Sequence, residues 1–166
     1  MQIHDGDQSA FRGLGLRPAT SEDEPFLQEL FASTRTDELA LMNCDEKQKE
    51  SFITTQFHAQ SSQYAMSHPE ATNSVVLLNE APIGRLMLDK GELEFTLVDI
   101  SLLPCHRRGG IGTHLIKELL REAAAAGKSV RLNVWHSNPA RKLYQRMGFS
   151  AANDDGVYCE MWWKPI

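Results

Sequence analysis

The chain has 166 residues, 42% of them hydrophobic, with 17 lysines and arginines against 22 aspartates and glutamates. That length suits one domain with a proper core and is short for two, and a net charge of -5 argues against a nucleic-acid partner, which calls for a basic domain with interleaved aromatics. No apolar run nears the roughly eighteen residues of a membrane span, and the polar start is unlike a signal peptide, so a cytoplasmic protein away from membranes is expected.

Residues 1–12 read as a flexible N-terminal lead-in and 13–166 as the single domain. Residues 14–18 form a first strand ending at a proline. Thr20 or Ser21 then caps a helix, with Glu24 three after Ser21 as its capping-box partner, Pro25 in the first turn, and Phe26, Leu27, Leu30 and Phe31 at helical spacing. A second helix is expected over 45–66, broken at His68-Pro69. Residues 73–78 and 82–88 read as strands joined at Asn79-Glu80. A third strand over 93–103 follows Asp89-Lys90-Gly91, and such short links favour an antiparallel meander.

That third strand runs into Pro104-Cys105-His106-Arg107-Arg108-Gly109-Gly110-Ile111-Gly112. Ile111, Leu115, Ile116, Leu119, Leu120 and Ala123 then recur at helical spacing until Gly127. A strand, a basic glycine turn and a helix start make an anion site, because the first helical amides have no intrahelical acceptors and the dipole there is positive. The glycines admit close approach, and Arg107 and Arg108 add charge that can pair with phosphate oxygens. Two familiar phosphate turns are excluded. No Gly-Lys-Ser/Thr follows as a P-loop needs, and Leu115 stands where a dinucleotide fold needs its third glycine. Farther on, 130–135 reads as a strand and 139–147 as a helix with Asn138 as cap and Gly148 as stop. Residues 149–152 and 157–163 close the chain as a hairpin.

Cys44, Cys105 and Cys159 are odd in number and lack Cys-x-x-Cys spacing, so neither a disulfide framework nor a metal site is expected. Cys105, beside two arginines, has a reactive-thiol reading as well as the plainer one of a small turn residue. Charge is uneven. Residues 104–148 carry nine Lys/Arg against Glu118 and Glu122, or +7, which leaves -12 for the remainder. A basic segment suits a ligand with several phosphates and acidic surroundings suit a cationic acceptor; both can also be ordinary solvated faces.

Arg107-x-x-Gly110-x-Gly112, with Leu102-x-Pro104 before it, resembles the acetyl-CoA signature of the GNAT superfamily of N-acetyltransferases. About thirty residues later Asn138-Pro139-Ala140-Arg141-Lys142-Leu143-Tyr144-Gln145-Arg146-Met147-Gly148-Phe149 resembles its second hallmark, Asn-x-x-Ala-x-x-Leu-Tyr-x-x-x-Gly-Phe, in the required order. The resemblance implies an α/β (α+β) GNAT fold, with a central, mostly antiparallel mixed sheet of about seven strands and four helices. It implies acetyl-CoA as co-substrate and no metal. In that family the strand before the turn splays from its neighbour. Its backbone, here Ile100, Leu102 and Leu103, holds the pantetheine arm, and turn residues Arg107, Arg108, Gly109, Gly110, Ile111, Gly112 and Thr113 take the pyrophosphate, with Asn138 near the pantetheine.

Tyr144 falls where the family has a tyrosine that protonates the departing thiolate, and it also contacts the cofactor there; packing beside Leu143 is the alternative reading. An attacking amine must lose a proton, and many family members carry a glutamate in the strand before the turn, where this chain has Thr96. Asp99 is the leading general base, Glu94 or water the runner-up; Asp99 could equally serve a backbone amide or an arginine such as Arg85. His58, His68 and His136 are further candidates. Acetyl transfer to a primary amine, of a small molecule or peptide, by direct attack is the expected function. The alternatives are a non-catalytic module of the same fold that binds acyl-CoA or a partner, and a nucleotide-binding protein. The aromatic end, Tyr158, Trp162 and Trp163, is a candidate for pairing strands between two copies as a homodimer.

Overall fold

In the computed structural model, which describes residues 11–166, the hydrophobic strands join into one seven-stranded sheet. The strands are β1 (Leu14–Pro18), β2 (Thr72–Leu78), β3 (Ala81–Lys90), β4 (Glu94–Leu102), β5 (Ser129–Trp135), β6 (Ser150–Asp154) and β7 (Tyr158–Trp163). Their order is β1-β2-β3-β4-β5-β7-β6. Every pairing is antiparallel except β4 with β5, whose parallel run is made possible by the crossover through the helix that follows β4. Five helices flank the sheet: α1 (Glu24–Ser33), α2 (Thr36–Leu41), α3 (Glu46–Ser67), α4 (Ile111–Ala125) and α5 (Ala140–Arg146). The mixed sheet matches expectation and the helix count exceeds it by one. The extra helix, α2, is six residues long and buries none of them, so it has no apolar stripe to betray it.

The two sheet faces hold separate cores. On one face, α4 lays Leu115, Leu119 and Ala123, all with no exposed surface, against Leu86, Leu97, Val130 and Leu132. Burial of each such leucine contributes about 1.5–3 kcal/mol. On the other face, α1 and α3 bury Leu27, Leu30, Phe31, Ile53 and Phe57. Gly84 is required where β3 meets β4: a Cβ there would stand 2.4 Å from the Ser101 carbonyl oxygen.

Three local expectations are corrected. The acid that closes the turn before α1 is Asp23, not Glu24. Its Oδ2 accepts the Thr20 amide at 2.8 Å, and its two oxygens accept Arg17 at 2.7 Å each, a stronger pairing than Glu24 could make from the helix's first turn. Arg17, followed by the Thr20 amide, holds this carboxyl well below the usual range. Secondly, Phe11, assigned to the flexible lead-in, is half-buried against the main core, and its carbonyl accepts the Leu14 amide at 3.0 Å. The rest of that lead-in, 1–10, lies outside the described residues. Thirdly, β7, which carries Tyr158, Trp162 and Trp163, lies between β5 and β6, so both its edges are already paired. A capping box also closes the start of α3, with Asp45 accepting the Gln48 amide at 2.8 Å.

Candidate active site

The site begins where β4 parts from β5. Their ladder covers only Glu94 to Leu97 against Ser129 to Leu132, and beyond it β4 continues to Leu102 while β5 continues to Trp135. Val98, at the parting, is an extra residue between the Leu97–Leu88 and Asp99–Met87 pairs, a β-bulge. The Leu103 amide is donated to the Ile83 carbonyl at 2.8 Å. By the alternation of an antiparallel ladder, Ser101 and Asp99 also turn their backbone groups to β3, while Ile100 and Leu102 turn theirs to the gap. Of the three expected backbone ligands, Ile100 and Leu102 therefore face the opening and the Leu103 amide is already engaged.

At the open end the chain enters a short 3-10 turn, Pro104–His106, and then the glycine turn. Arg108 has φ +62° and Gly110 φ +86°, both left-handed. Gly110 precedes α4 and supplies no side-chain cap, so the amides of Ile111, Gly112 and Thr113 have neither a helical acceptor nor a capping side chain. A Cβ on Gly109 or Gly112 would meet no atom within 4 Å, so the fold itself does not demand glycine there. Open amides and bare backbone fit a diphosphate. Arg107 is held by groups of the protein itself. Its amide is donated to Pro104, its Nε to the Leu102 carbonyl at 2.8 Å, and its Nη2 to Ser33 Oγ at 3.1 Å. It fastens the turn to β4 and α1 while staying exposed, as Arg108 is, and Arg108 makes none of these contacts. Ile111 buries its side chain in the core, and Thr113 is half-buried beside it.

On the sheet face toward α1 and α3, a cleft is lined by Leu27, Leu30, Phe31, Thr34, Gln60, Arg85, Asp99 and Ser101. Arg85 is buried, at 6% exposure, and donates Nε and Nη2 to Asp99 Oδ2 at 2.8 and 2.7 Å. Its Nη2 also reaches Gln60 Oε1 at 3.1 Å, its guanidinium lies 5.8 Å from the Tyr64 ring centre, and Ser101 Oγ adds a bond to Asp99 Oδ2 at 3.4 Å. These contacts leave Oδ1 as the oxygen of Asp99 with accepting capacity toward the cleft. The alternative in which Asp99 serves Arg85 is thus the observed pairing. Gln60 and Tyr64 were missed from sequence. The signal was present, since Ile53, Phe57, Gln60 and Tyr64 share one helical stripe that turns polar halfway along α3.

From the other side of the gap, α5 brings Tyr144. Asn138 Oδ1 accepts the Ala140 amide at 2.9 Å, so its expected capping role is met and its Nδ2 is left to any ligand. Gly148, at φ +94°, ends the helix. Tyr144 is buried with its ring edge on Phe149. Burial, followed by the negative charge of Asp99, pushes its phenol up to about 12, so the two groups from α5 and β4 share one electrostatic neighbourhood. Tyr64, half-buried on α3, is likewise pushed up to about 12, by desolvation and then by the same aspartate. The remaining base candidates are engaged elsewhere. Glu94 pairs with Arg131 at 3.2 Å at the closed end of the ladder, His58 with Glu24, His68 with Asp89 and His136 with Asp154. Thr96 is buried opposite Asp89. Cys105 is exposed, Cys44 half-buried and Cys159 buried. Among the described residues no helix is long and apolar enough to cross a membrane, and no cluster of His, Cys, Asp and Glu is arranged to hold a metal.

Comparison with known structures finds the same architecture. The PaiA N-acetyltransferase of Thermoplasma acidophilum, solved in complex with coenzyme A, superposes with a TM-score of 0.68 at 21% identity, over 91% of this chain and 98% of that one. An acetyltransferase of Thermus thermophilus gives 0.66 at 21% identity, over 93% and 99%. Ard1 of Thermoplasma volcanium gives 0.58 at 17%, over 93% and 99%. Among curated proteins none matches the sequence. The model of the acetyltransferase (GNAT) family matches residues 27–149, a span that holds the gap, the glycine turn, Asp99 and Tyr144. The chain belongs to the GNAT family of acetyltransferases.

Proposed function

We propose that the protein transfers an acetyl group from acetyl-CoA to a primary amine by direct attack, with no covalent enzyme intermediate. The observation that carries this reading is the gap between β4 and β5, which opens between the uncapped amides of α4 on one side and buried Tyr144 on the other. The amides of Ile111, Gly112 and Thr113, with Arg108 beside them, would hold the diphosphate; the backbone of Ile100 and Leu102 and the Asn138 amide would line the pantetheine. Bound there, acetyl-CoA supplies an activated thioester.

The acceptor amine approaches through the cleft on the α1 and α3 face and gives up a proton to Asp99 Oδ1, directly or through water. Its nitrogen forms the new C–N bond as the C–S bond breaks, and the departing sulfur takes the Tyr144 phenolic proton. A phenol pushed up to about 12 is fully protonated at neutral pH and so is loaded for that donation. Leu27, Leu30 and Phe31 favour an amine carried on an apolar group, since the charges of Arg85 and Asp99 cancel locally.

The test is thiol release from acetyl-CoA on adding amines of graded charge and hydrophobicity, beside calorimetric titration with acetyl-CoA alone. Release with an apolar-substituted amine supports the reading. Tight binding with no release for any amine leaves a non-catalytic acyl-CoA module, and no binding up to millimolar ligand removes the cofactor assignment.

A further inference from the structure

We infer that Phe11, which precedes β1 and lies outside the span matched by the family model, is a positioning residue of the glycine turn: its ring holds Gly110 in the conformation that aims the first amides of α4 at a ligand. The inference rests on the reading of that turn as the acetyl-CoA site.

The turn is costly to hold. Two of its three residues from Arg108 to Gly110 are left-handed, and one of these is an arginine, which the Cβ disfavours there. Such conformations persist only where the surroundings over-determine them. On the sheet side, Arg107 fastens the turn to Leu102 and Ser33. At Gly110 itself no side chain caps the helix. Phe11 fills that role by packing. Its Cζ lies 3.3 Å from where a Cβ would stand on Gly110, and its ring lies tilted on His114, with centres 4.7 Å apart. The His114 amide makes the first bond of α4, to the Gly110 carbonyl at 2.9 Å. Phe11 therefore covers both residues of the hydrogen bond that starts the helix.

Phe11 is itself delivered by an anchored segment. Its carbonyl accepts the Leu14 amide, and the Gly13 carbonyl accepts the Asn79 amide at 2.8 Å, which ties this entry to the β2–β3 turn. A ring fixed from the sheet pre-orders the turn before any ligand arrives, and ordering completed in advance raises affinity.

The experiment is titration of Phe11→Ala and Phe11→Leu with acetyl-CoA and with CoA, alongside thermal melting and steady-state kinetics. In folded Phe11→Ala, both dissociation constants and the KM for acetyl-CoA should rise roughly tenfold, while kcat and the acceptor KM stay within about twofold. Phe11→Leu, which keeps apolar bulk, should fall between. A folded Phe11→Ala that binds acetyl-CoA as tightly as the parent overturns the inference, as does an equal rise in acceptor KM. If Phe11→Ala does not fold, His114→Ala carries the same expectation and the same refutation. A parent protein that binds no acetyl-CoA removes the cofactor reading and this inference with it; a binding parent with indifferent variants removes this inference alone.

Discussion

The two halves of the site are built from different material. On the proposed cofactor side the groups are backbone amides and carbonyls, exposed by a parted ladder, a bare glycine turn and an uncapped helix start. On the proposed acceptor side they are side chains, Gln60 and Tyr64 from α3, Arg85 from β3 and Asp99 from β4, joined by contacts 14 to 25 residues apart in sequence, with Ser101 beside Asp99. A backbone site is written in local spacing, because glycine positions and helix starts dictate it. A side-chain site is written in which elements meet, and any of several residue types can make the same contact.

Gly112→Trp should give the largest effect, eliminating detectable acetyl-CoA binding by calorimetry while leaving the fold intact, because the new side chain projects into open space beside the amides. Unchanged binding would mean that the cofactor half is not backbone-built. Tyr144→Phe should lower kcat by about 10²- to 10⁴-fold with acetyl-CoA affinity preserved. Parallel loss of affinity would make Tyr144 a packing residue instead. Asp99→Asn strands the buried Arg85 guanidinium and should cost about 3–5 kcal/mol in urea unfolding, again with acetyl-CoA affinity unchanged. That result would separate the halves energetically.

The smallest effect is at alkaline pH. Folding raises the phenols of Tyr64 and Tyr144 to about 12, so the unfolded chain releases their protons first. Their contribution to stability is complete below pH ~10 and is lost as pH rises toward ~12, with a slope that approaches about 1.4 kcal/mol per pH unit for each tyrosine. Replacing either tyrosine with phenylalanine should flatten that fall in denaturation measured across the interval, and an unaltered slope would mean that the phenol is hydrated in the folded state.

Legibility followed the same division. The strand, glycine turn and helix from Leu97 to Ala123 could be read residue by residue, because β-branched runs, left-handed glycines and helical spacing are local signals. Asp99 was visible as an acid in an apolar strand, and Arg85 as a candidate partner, but not that Arg85 would take one carboxylate oxygen and leave the other. Arg107 matched the motif as a phosphate ligand, and the nearness of Ser33 in three dimensions, which gives its guanidinium a partner on α1, is not written in that motif. Phe11 looked like tail because nothing in its immediate sequence records the groove between Gly110 and His114. The fifth helix was missed for want of a buried stripe.

The bulge at Val98 sets a rule for how β4 can change over generations. Thr96 and Asp99 are three positions apart, which in a regular pleat would send them to opposite faces; the extra residue puts both on the side of α1 and α3 while Leu97, Ile100 and Leu102 stay with α4. Losing the Val98 codon alone would leave a regular pleat in which Thr96 and Asp99, then two positions apart, still share a face and Leu102 stays with α4. Position 98 is therefore a place where this strand can lose a single residue without turning its side chains over, whereas one lost from the regular ladder on either side would exchange core for cleft.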